Sequence, residues 1–400
     1  MRIAIIGAGQ AAQQIISSLA GFEAEITLIG DEPHPPYQRP PLSNKFLSGA
    51  LARERLFFKS EDFYTANGIT TRFDTRASAI DPDAHTLTLA DGETLAFDKL
   101  VLATGSRPRP FPDAARDNIY ELRTLDDVEA IRAGLQNTLV IVGGGYIGLE
   151  TAASARALGC EVSILEAAPR ILARVATPEM SDFFTRLHTE EGVKIETDCK
   201  VAGFTAEGVE IADGKTFPAD AVIIGVGIVP NVELAAEAGL KVADGIIVDA
   251  HGQTSHPDIY AAGDCTNHPN DFLGTRLRLE SVPNAIEQGK AVAASLRGAP
   301  QPYCDIPWFW SDQYDVKLQI AGHCGHVEAA RLTHAIRGDT SSRSFALFIF
   351  DGDRLLCVEA VNRPAEFMAA RQLLTRAGKE GLRISPDILT DENIPPKEWG

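Results

Sequence analysis

The fold is decided by Leu139–Glu150, a stretch that reads LVIVGGGYIGLE. Its apolar start predicts a buried strand, and Gly143, Gly145 and Gly148 fit the GxGxxG pattern of a dinucleotide-binding turn. The first glycine makes the tight turn, the second lets a pyrophosphate approach the backbone, and the third lets the next helix pack on the strand. The following apolar run ends at Glu166, whose carboxylate can accept hydrogen bonds from both hydroxyls of an adenosine ribose. Strand, turn, helix and acid together make this a specific signal.

A second copy of the pattern opens the chain, where positions 3–12 read IAIIGAGQAA. Gly7 and Gly9 hold the first two places, and Ala12 holds the third, which the pattern allows. The partner strand of this copy leads to Asp31, 24 residues after Gly7. Two fingerprints imply two dinucleotides, and the economical pair is FAD and NADH, because a flavin needs a hydride donor.

The two fingerprints belong to an internal repeat. Positions 91–105 resemble positions 213–227, an offset of 213 − 91 = 122, whereas the fingerprints themselves are offset by 143 − 7 = 136. The first copy is therefore longer by 136 − 122 = 14 residues. We assign this excess to a proline-rich loop at positions 33–41 that has no counterpart after Glu166. A repeat of this size predicts a duplicated nucleotide-binding domain.

The fold class that follows is α/β, with two duplicated Rossmann-type domains and a C-terminal α+β domain. The NADH-binding domain is predicted to be inserted into the FAD-binding domain. We expect FAD-domain segments at 1–110 and 233–305, the NADH domain at 111–232, and the C-terminal domain at 306–400. The last region carries no nucleotide motif; its pattern predicts a strand at 316–320, a hairpin at 345–361 and a helix at 363–377.

The proline-rich loop contains five prolines between positions 33 and 41. Because proline fixes its own backbone and restricts the preceding residue, we expect a stiff, extended segment with no helix until after Pro41. Arg39 and Lys45 on this segment would lie near a phosphate-binding turn. We therefore expect the loop to hold an anion rather than to serve as a plain connector.

Charge and composition exclude several partners. The net charge of −18 over 400 residues disfavours nucleic acid and anionic membrane, because the field of the protein repels both. The apolar runs are too short to span a membrane, and the chain begins on a strand rather than a secretory signal. We expect a cytoplasmic protein.

Six cysteines are present, and none forms a CxxC or CxxxxC pair. The sequence therefore predicts no local redox dithiol and no disulfide framework. The stretch 323–326, HCGH, carries metal-binding residue types, but no further ligands are spaced to complete a site, and we predict no metal centre.

Three further stretches narrow the interpretation. They are PYQRPPLS at 36–43, LRTLDD at 122–127 and PWFWSDQ at 307–313. With the fingerprints, they make nearly the whole chain resemble the pyridine-nucleotide FAD oxidoreductases, and in particular the NADH-dependent ferredoxin reductases of bacterial aromatic-ring dioxygenases and haem monooxygenases. Apoptosis-inducing factor is a more distant relative. The resemblance implies a hydride transfer from NADH to FAD, followed by single-electron transfer to a [2Fe-2S] ferredoxin.

The resemblance also implies a role for each matching residue. Gly7, Gly9 and Ala12 would hold the FAD pyrophosphate, and Asp31 would hold the adenosine ribose. Arg39 and Arg123 would line the phosphates and the flavin side, and Thr104 and Gly105 would form a turn beside FAD. Asp264 would bind the ribityl chain, and Ser281 and Val282 would lie near the flavin ring. Ser281 and Val282 would precede a helix at 284–296. NADH would be bound by Gly143, Gly144, Gly145, Tyr146, Ile147, Gly148, Glu166 and Gly227. The nicotinamide–flavin junction would contain Glu150, Glu280 and Trp310.

One position departs from the family pattern. The family usually reads PPLSK, with that lysine pairing a glutamate beside the flavin, whereas this chain has Asn44 there and Lys45 next. Either Lys45 reaches in by a local shift, or Glu150 has no cationic partner and a raised pKa. The residues alone leave both alternatives open.

Two other functions use the same cofactors. One is an NADH oxidase, peroxidase or disulfide reductase, of which the last two need a cysteine beside the flavin. The other is a redox-responsive binding protein resembling apoptosis-inducing factor. The Ser43–Asn44 loop carries no cysteine, and the negative charge argues against a nucleic-acid-binding role.

The ferredoxin partner would dock transiently through charge. A ferredoxin is normally acidic, so docking needs a local basic surface. The candidates are Lys45, Arg53, Arg55, Arg297 and Arg343. We expect a monomer or a weak homodimer. Glu166 favours NADH, although Arg170, four residues on, could soften the preference against NADPH.

Overall fold

A computed structural model describes residues 1–325, 327–378 and 381–399. The strands in chain order are β1 Arg2–Ile6, β2 Glu25–Ile29, β3 Ile69–Arg72, β4 Ala77–Asp81, β5 Thr86–Leu89, β6 Thr94–Ala96, β7 Lys99–Leu102, β8 Ser106–Pro108, β9 Ile119–Glu121, β10 Thr138–Val142, β11 Glu161–Leu165, β12 Lys194–Glu196, β13 Val201–Phe204, β14 Gly208–Ile211, β15 Thr216–Pro218, β16 Ala221–Ile224, β17 Ile228–Pro230, β18 Ile246–Ile247, β19 Ile259–Ala261, β20 Thr266–Asn270, β21 Thr275–Leu277, β22 Trp308–Gln313, β23 Val316–Gly322, β24 Leu332–Asp339, β25 Ser344–Asp351, β26 Arg354–Val361 and β27 Leu382–Arg383. The helices are α1 Gln10–Ser18, α2 Glu61–Ala66, α3 Leu125–Gly134, α4 Tyr146–Ala157, α5 Pro178–Glu190, α6 Glu233–Glu237, α7 Val282–Leu296, α8 Pro364–Ala377 and α9 Pro386–Thr390.

Two parallel five-stranded sheets repeat one another. The first has the order β19-β7-β1-β2-β3 and the second β9-β16-β10-β11-β12. In each, the fingerprint strand lies at the centre and is buried almost throughout, as expected of a sheet covered on both faces. A three-stranded antiparallel sheet accompanies each copy, β4-β5-β6 in the first and β13-β14-β15 in the second. The predicted duplication and α/β class are therefore present.

The fifth strand of each sheet shows how the copies are threaded. The first sheet is completed by β19, which follows the whole second copy, whereas the second is completed by β9, which precedes its own fingerprint. The chain thus leaves the first sheet, builds the second and returns. The strands β8 and β17 pair with each other where the chain crosses out and back. The domain boundaries assigned from sequence stay a prediction.

The proline-rich loop accounts for most of the length difference between the copies. From Ile29 to Ile69 is 40 positions, whereas from Leu165 to Lys194 is 29, so eleven of the fourteen extra residues lie between β2 and β3. The expectation that helix is excluded until after Pro41 was wrong by two residues, because a single 3-10 turn begins at Pro40. Proline is tolerated at the first position of a helical turn, where its missing N–H has no intrahelical partner.

Helix α7 also begins earlier than expected, at Val282 rather than at position 284. Ser281 is its N-cap, and the Ser281 hydroxyl accepts a hydrogen bond from the backbone N–H of Asn284. Val282 therefore lies inside the first turn, with Pro283 beside it, where proline costs no intrahelical bond.

The C-terminal region is an antiparallel sheet of order β22-β23-β26-β25-β24, with β27 paired to β26. The predicted strand, hairpin and helix correspond to β23, β25–β26 and α8, while β24 escaped the sequence pattern. Helix α8 packs against this sheet through Phe367 and Leu374, both buried. Within the described part of the chain, no helix is long and apolar enough to cross a membrane.

Candidate functional site

The two fingerprint turns have the geometry that phosphate binding requires. Gly7 has a φ of +102° and Gly143 a φ of +110°, values that favour glycine. A Cβ on either would overlap a carbonyl oxygen of the neighbouring strand end, that of Ala103 or of Gly225. At the second glycine of each turn, by contrast, a Cβ would meet no heavy atom of the described residues within 4 Å. The turns are closed on the protein side and open where a pyrophosphate would lie.

The third position differs between the copies. Ala12 is fully buried on α1, whereas a Cβ at Gly148 on α4 would overlap the carbonyl oxygen of Gly143. The second helix therefore approaches its turn more closely than the first. Ile147, in the first turn of α4, is 48% exposed.

Glu166 is fixed at the end of β11 by two backbone groups. One carboxylate oxygen accepts a hydrogen bond from the N–H of Gly144 at 2.6 Å, and the other from the N–H of Ala168 at 2.7 Å. Arg170 is turned into the protein, where its guanidinium donates to the carbonyl oxygens of Ala173 and Ala176. A guanidinium engaged in this way is not presented to a 2′-phosphate. The orientation of Arg170 therefore does not support the expectation that it weakens the preference for NADH over NADPH.

The first copy lacks an acid at the equivalent position. The strand registers align Ile29 with Leu165, so Gly30 is the counterpart of Glu166. Asp31 follows Gly30 and is exposed. The next acid, Glu32, lies in the protein and accepts hydrogen bonds from Tyr37 and Arg39. The ribose role of Asp31 stays a prediction.

Arg39, Arg123 and Asp264 come together although 225 positions separate the first from the last. The Arg39 guanidinium donates to the carbonyl oxygen of Arg123 at 2.6 Å, and the Arg123 guanidinium donates to the Asp264 carboxylate at 3.2 Å. The hydroxyl of Ser106 donates to the same Asp264 oxygen at 2.8 Å. Sequence reasoning missed Ser106, Glu32 and Tyr37, which hold this cluster in place.

Thr104 and Gly105 form the turn that leads from β7 to β8. The Thr104 hydroxyl donates to the carbonyl oxygen of Asn231 at 2.7 Å, and the Asn231 amide donates back to the carbonyl oxygen of Thr104 at 2.8 Å. Gly105 has a φ of +64°. Gly227, in the corresponding turn of the second copy, has a φ of +100° and lies next to the Arg174 guanidinium. These two turns flank the crossing between the copies.

Glu150 is the most unusual group of the site. It is 7% exposed on α4, and its two carboxylate oxygens accept hydrogen bonds from the hydroxyls of Ser43 at 2.5 Å and Ser311 at 2.6 Å. Burial raises the pKa of Glu150 to about 7, although the two hydroxyls act in the opposite direction. The three residues join the proline-rich loop, α4 and β22 at one point.

The alternatives for the lysine position are resolved by this geometry. Lys45 is exposed, and its backbone N–H donates a hydrogen bond to the side-chain oxygen of Asn44. Among the described residues, no lysine or arginine nitrogen lies within 4.0 Å of the Glu150 carboxylate. Glu150 therefore has hydroxyl partners in place of a cation, and its pKa is raised as that alternative requires.

An aromatic group covers the outer side of α4. Tyr146 lies edge-on to Phe309, with ring centroids 4.8 Å apart, and Trp310 lies 5.8 Å from Trp308. Strand β22, which carries these residues, packs against both α4 and α7. Trp310 precedes Ser311, the partner of Glu150, on this strand, and its predicted junction role stays a prediction.

Glu280 is less closely tied to this centre. It is exposed and forms an ion pair with Arg278, which also pairs with Asp244. Ser281 and Val282 follow at the start of α7. The junction role of Glu280 and the flavin contacts of Ser281 and Val282 stay predictions.

Five of the six cysteines have a pKa that disfavours the thiolate, and the sixth, Cys304, is exposed. All six are free thiols, and burial raises the pKa of five of them, Cys160, Cys199, Cys265, Cys324 and Cys357. Cys265, which follows Asp264, is fully buried. The last residue of the stretch 323–326, His326, lies outside the described residues. Within the described ranges, no group of three or more histidine, cysteine, aspartate or glutamate side chains could hold a metal ion.

Comparison with known proteins gives the same arrangement over the full chain. Residues 1–289 match the family described as pyridine nucleotide-disulphide oxidoreductase, and residues 308–399 match the family described as reductase C-terminal. The chain is 41% identical to putidaredoxin reductase of Pseudomonas putida over 99% of this chain and 96% of that protein. It is 40% identical to the ferredoxin–NAD(+) reductase component of the anthranilate 1,2-dioxygenase system of Burkholderia cepacia, over 99% of this chain and 98% of that protein. The reductase in the crystal structure of the covalent putidaredoxin reductase–putidaredoxin complex superposes with a TM-score of 0.94, at 40% identity, over 100% of this chain and 97% of that chain.

Proposed function

The chain belongs to the pyridine nucleotide-disulphide oxidoreductase family, and on that premise we propose that it is an NADH-dependent ferredoxin reductase serving an oxygenase. The observation that carries this is the full-length similarity, including the C-terminal domain, to reductases named for a ferredoxin or for a dioxygenase system. Its cofactors are FAD and NADH. Its electron acceptor is a ferredoxin.

The two open turns fit the two dinucleotides. Gly9 and Gly145 leave room for a pyrophosphate at the N-termini of α1 and α4, where backbone N–H groups and the helix dipole favour an anion. Bound FAD supplies the conversion of a two-electron hydride into single electrons. We assign FAD to the first turn because the cluster of Arg39, Arg123 and Asp264 borders the first sheet. We assign NADH to the second turn because the Glu166 carboxylate is bound to the backbone N–H of Gly144 within that turn.

The thiols favour ferredoxin reduction over disulfide or peroxide chemistry. Such chemistry needs a cysteine whose thiolate is exposed to the flavin. Cys265 lies nearest in sequence to a predicted FAD residue, yet it is buried and burial raises its pKa. Ser43 stands on the loop beside Glu150 and offers a hydroxyl instead. Electrons therefore leave from the flavin itself.

Nicotinamide preference should depend on Glu166. The variant Glu166→Gln keeps an oxygen for the Gly144 N–H but removes the charge that repels a 2′-phosphate. We expect the ratio of kcat/KM for NADH to that for NADPH to fall at least about tenfold, since one lost charge-assisted bond is worth about 1.5–3 kcal/mol and about 1.4 kcal/mol corresponds to a factor of ten. Steady-state reduction of ferricyanide with each nucleotide measures the ratio.

A neighbouring carboxylate provides the control for that experiment. Glu196 ends the adjacent strand β12 and pairs with Lys215 at 2.5 Å. We expect Glu196→Gln to leave the nucleotide preference unchanged. An equal loss of preference in both variants would assign the effect to general surface charge and contradict the role of Glu166.

Ferredoxin docking is proposed to be transient and electrostatic. Of the candidate cations, Arg53 pairs with Glu129, Arg343 pairs with acidic neighbours, and Arg297 donates to the carbonyl oxygen of Ser18. Arg55 is exposed at the end of a short 3-10 turn, and no ion pair within the described residues involves it. Arg55 and Lys45 are thus the two exposed candidates whose side chains pair with no carboxylate and donate to no carbonyl oxygen among the described residues. Because Lys45 lies two residues from Ser43, a partner of Glu150, Arg55 is the one whose replacement leaves the Glu150 contacts intact.

Reversing that charge gives a direct test of docking. We expect Arg55→Glu to raise the KM for a [2Fe-2S] ferredoxin several-fold, roughly 1 kcal/mol for a rim charge, and to weaken its salt dependence. NADH-to-ferricyanide turnover should stay the same, because ferricyanide needs no docking surface. The matched variant Arg297→Glu makes the same charge change elsewhere; if it alone raised the KM, the docking surface would lie around Arg297 and not around Arg55.

The function itself is tested by anaerobic stopped-flow mixing with NADH, followed by a plant-type two-iron ferredoxin. Rapid bleaching of the flavin and fast reoxidation by the ferredoxin are expected. Bleaching without transfer to any ferredoxin would favour the oxidase or sensor functions instead. We further propose a cytoplasmic location, because the reductase must meet NADH there, and a monomer or weak homodimer.

A further inference from the structure

A continuous chain of buried side-chain hydrogen bonds runs from Glu150 towards helix α5. The Ser311 hydroxyl lies 2.6 Å from Glu150, and the Gln313 amide nitrogen lies 3.1 Å from Ser311. The Gln313 amide oxygen lies 2.7 Å from Nε2 of His188, whose Nδ1 lies 3.0 Å from the hydroxyl of Tyr314. Glu150, Ser311, Gln313 and His188 are all at least nine-tenths buried. Helix α4, strand β22 and helix α5 are thus joined by polar contacts inside the protein.

The Glu150 carboxylate determines which group donates in each hydrogen bond of this series. An ionised Glu150 has no hydrogen to give, so the Ser311 hydroxyl donates to it. Ser311 must then receive a hydrogen from the Gln313 amide nitrogen, which turns the Gln313 oxygen towards His188. His188 therefore carries its hydrogen on Nε2, and its Nδ1 accepts the hydroxyl hydrogen of Tyr314.

We propose that His188 and Gln313 are positioning residues that hold the Ser311 hydroxyl on Glu150, and that they thereby set how readily Glu150 takes up a proton when the neighbouring flavin is reduced. The proposal rests on the proposed function, because it takes FAD to be bound beside Glu150. A reduced flavin adds negative charge next to the carboxylate, which favours its protonation. A hydroxyl held in place as a donor opposes that protonation.

The environment of the series of hydrogen bonds from Glu150 to Tyr314 favours a neutral His188. Burial lowers the pKa of His188 to about 4, while the amide of Gln313 and the charge of Glu191 act in the opposite direction. Near Glu150 the other charged group is Asp312, whose negative charge further raises the Glu150 pKa. Around Tyr314 lie Glu191, Arg156 and Arg343. No cation of the described residues pairs with Glu150, so hydroxyl donors carry the role of a counter-charge.

The variant His188→Phe tests the proposal in the FAD-loaded protein. It keeps a flat ring but removes the donor to Gln313, so the amide can rotate away from Ser311. The measurement is the midpoint potential of the bound flavin from pH 5.5 to 9, whose slope changes where Glu150 releases its proton. The parent should change slope near pH 7, and His188→Phe should move that point upward by about one pH unit, since one unit corresponds to about one lost hydrogen bond.

Three further variants separate positioning from packing. Gln313→Met removes the amide and should give the same upward shift, so the test stands even if His188→Phe does not fold. His188→Gln retains a donor to Gln313 and should restore the parent profile. Leu187→Ala creates a cavity on the same helix without touching the chain and should leave the profile unchanged. A shift in Leu187→Ala, or no shift in either His188→Phe or Gln313→Met, would overturn the proposal.

A second readout does not depend on electron transfer. Nitrogen-15 NMR of labelled histidine should show His188 neutral, with its hydrogen on Nε2, throughout pH 5.5–8. A hydrogen on Nδ1 would reverse the donors and acceptors in this series of hydrogen bonds, and it would overturn the proposal. If the parent binds FAD and reduces ferredoxin while these readouts fail, only the positioning role is wrong. If FAD or ferredoxin reduction is absent in the parent, the proposed function is wrong instead.

Discussion

A Gly145→Val variant is expected to fold, to bind FAD and to lose its response to NADH. Gly145 has a φ of −82° and a ψ of 179°, an extended conformation that any residue adopts, and a Cβ there would meet no heavy atom of the described residues within 4 Å. The valine side chain therefore costs the fold little but occupies the space proposed for the pyrophosphate of NADH. Because each backbone hydrogen bond to a charged group contributes about 1.5–3 kcal/mol, we expect the Kd for NADH to rise at least ~100-fold. Flavin bleaching during an NADH titration measures it.

The matched variant is Gly9→Val, which makes the same change in the first fingerprint. Gly9 is also extended, with a φ of −99°, and a Cβ there would likewise meet no described heavy atom within 4 Å. We expect this protein to fold with the secondary structure of the parent and to purify without the yellow flavin. The two variants thus assign the cofactors separately. A colourless Gly145→Val protein together with a yellow Gly9→Val protein would reverse our assignment of FAD and NADH.

Valine substitutions at Gly7 and Gly143 could not test the cofactor assignment in this way. Both glycines have positive φ, and a Cβ on either would overlap a backbone carbonyl oxygen of the adjoining strand end. A side chain there would damage the fold before it excluded a ligand. Within one motif, the first glycine is thus required by the fold, whereas a side chain at the second would meet no heavy atom of the described residues within 4 Å.

The sequence predicted the nucleotide-binding turns well because their signals are local. Strand, turn, helix and terminal acid all lie within 28 residues of one another from Leu139 to Glu166, and each constrains the next. The internal repeat then extended the prediction to both sheets, since a duplicated pattern folds into a duplicated topology. Strand β24 and the first turn of α7 were missed because tertiary pairing and an N-cap, rather than periodicity, determine them.

The environment of the carboxylates could not be predicted in this way. Whether Lys45 reached Glu150 depended on one turn of backbone after Pro41, and no pattern determines that turn. Ser311 and Ser43 lie 268 positions apart in sequence yet bind the same side chain. His188 carried no sequence signal at all, because a single histidine on an amphipathic helix is usually a packed residue. Contacts of this range become visible only when the sheets have been assembled.

A second buried carboxylate, Glu359, leads to the last prediction. It lies on β26, 3% exposed, and accepts hydrogen bonds from the hydroxyl of Thr177 at 2.7 Å and from the backbone N–H of Thr177 at 3.2 Å. Thr177 is the N-cap of α5, so this contact joins the C-terminal sheet to the second nucleotide-binding unit. Burial raises the pKa of Glu359 to about 7, while Thr177 and His334 act in the opposite direction and Glu179 adds to the rise.

The sign of the pH dependence follows from that pKa. A carboxyl group whose pKa is higher in the folded protein than in the unfolded chain binds its proton more tightly when folded, so it stabilises the fold at low pH. That stabilisation is complete below pH 4.5 and is lost as the pH rises through about 7. A shift from 4.5 to about 7 corresponds to about 3 kcal/mol of unfolding free energy.

Replacing Glu359 by glutamine should remove this dependence. The amide keeps an oxygen for Thr177 but does not titrate. Between pH 5 and pH 8, Glu359→Gln should therefore lose about 2.5 kcal/mol less unfolding free energy than the parent, because part of the total effect is already lost at pH 5. Urea denaturation of the holoprotein at both pH values measures the difference, and Glu237→Gln, an exposed carboxyl on α6, serves as the control. Parallel curves for the parent and Glu359→Gln would mean that Glu359 stays ionised across the range. The contact between the C-terminal sheet and α5 would then owe its stability to a charge–dipole interaction at the helix N-terminus rather than to a protonated carboxyl.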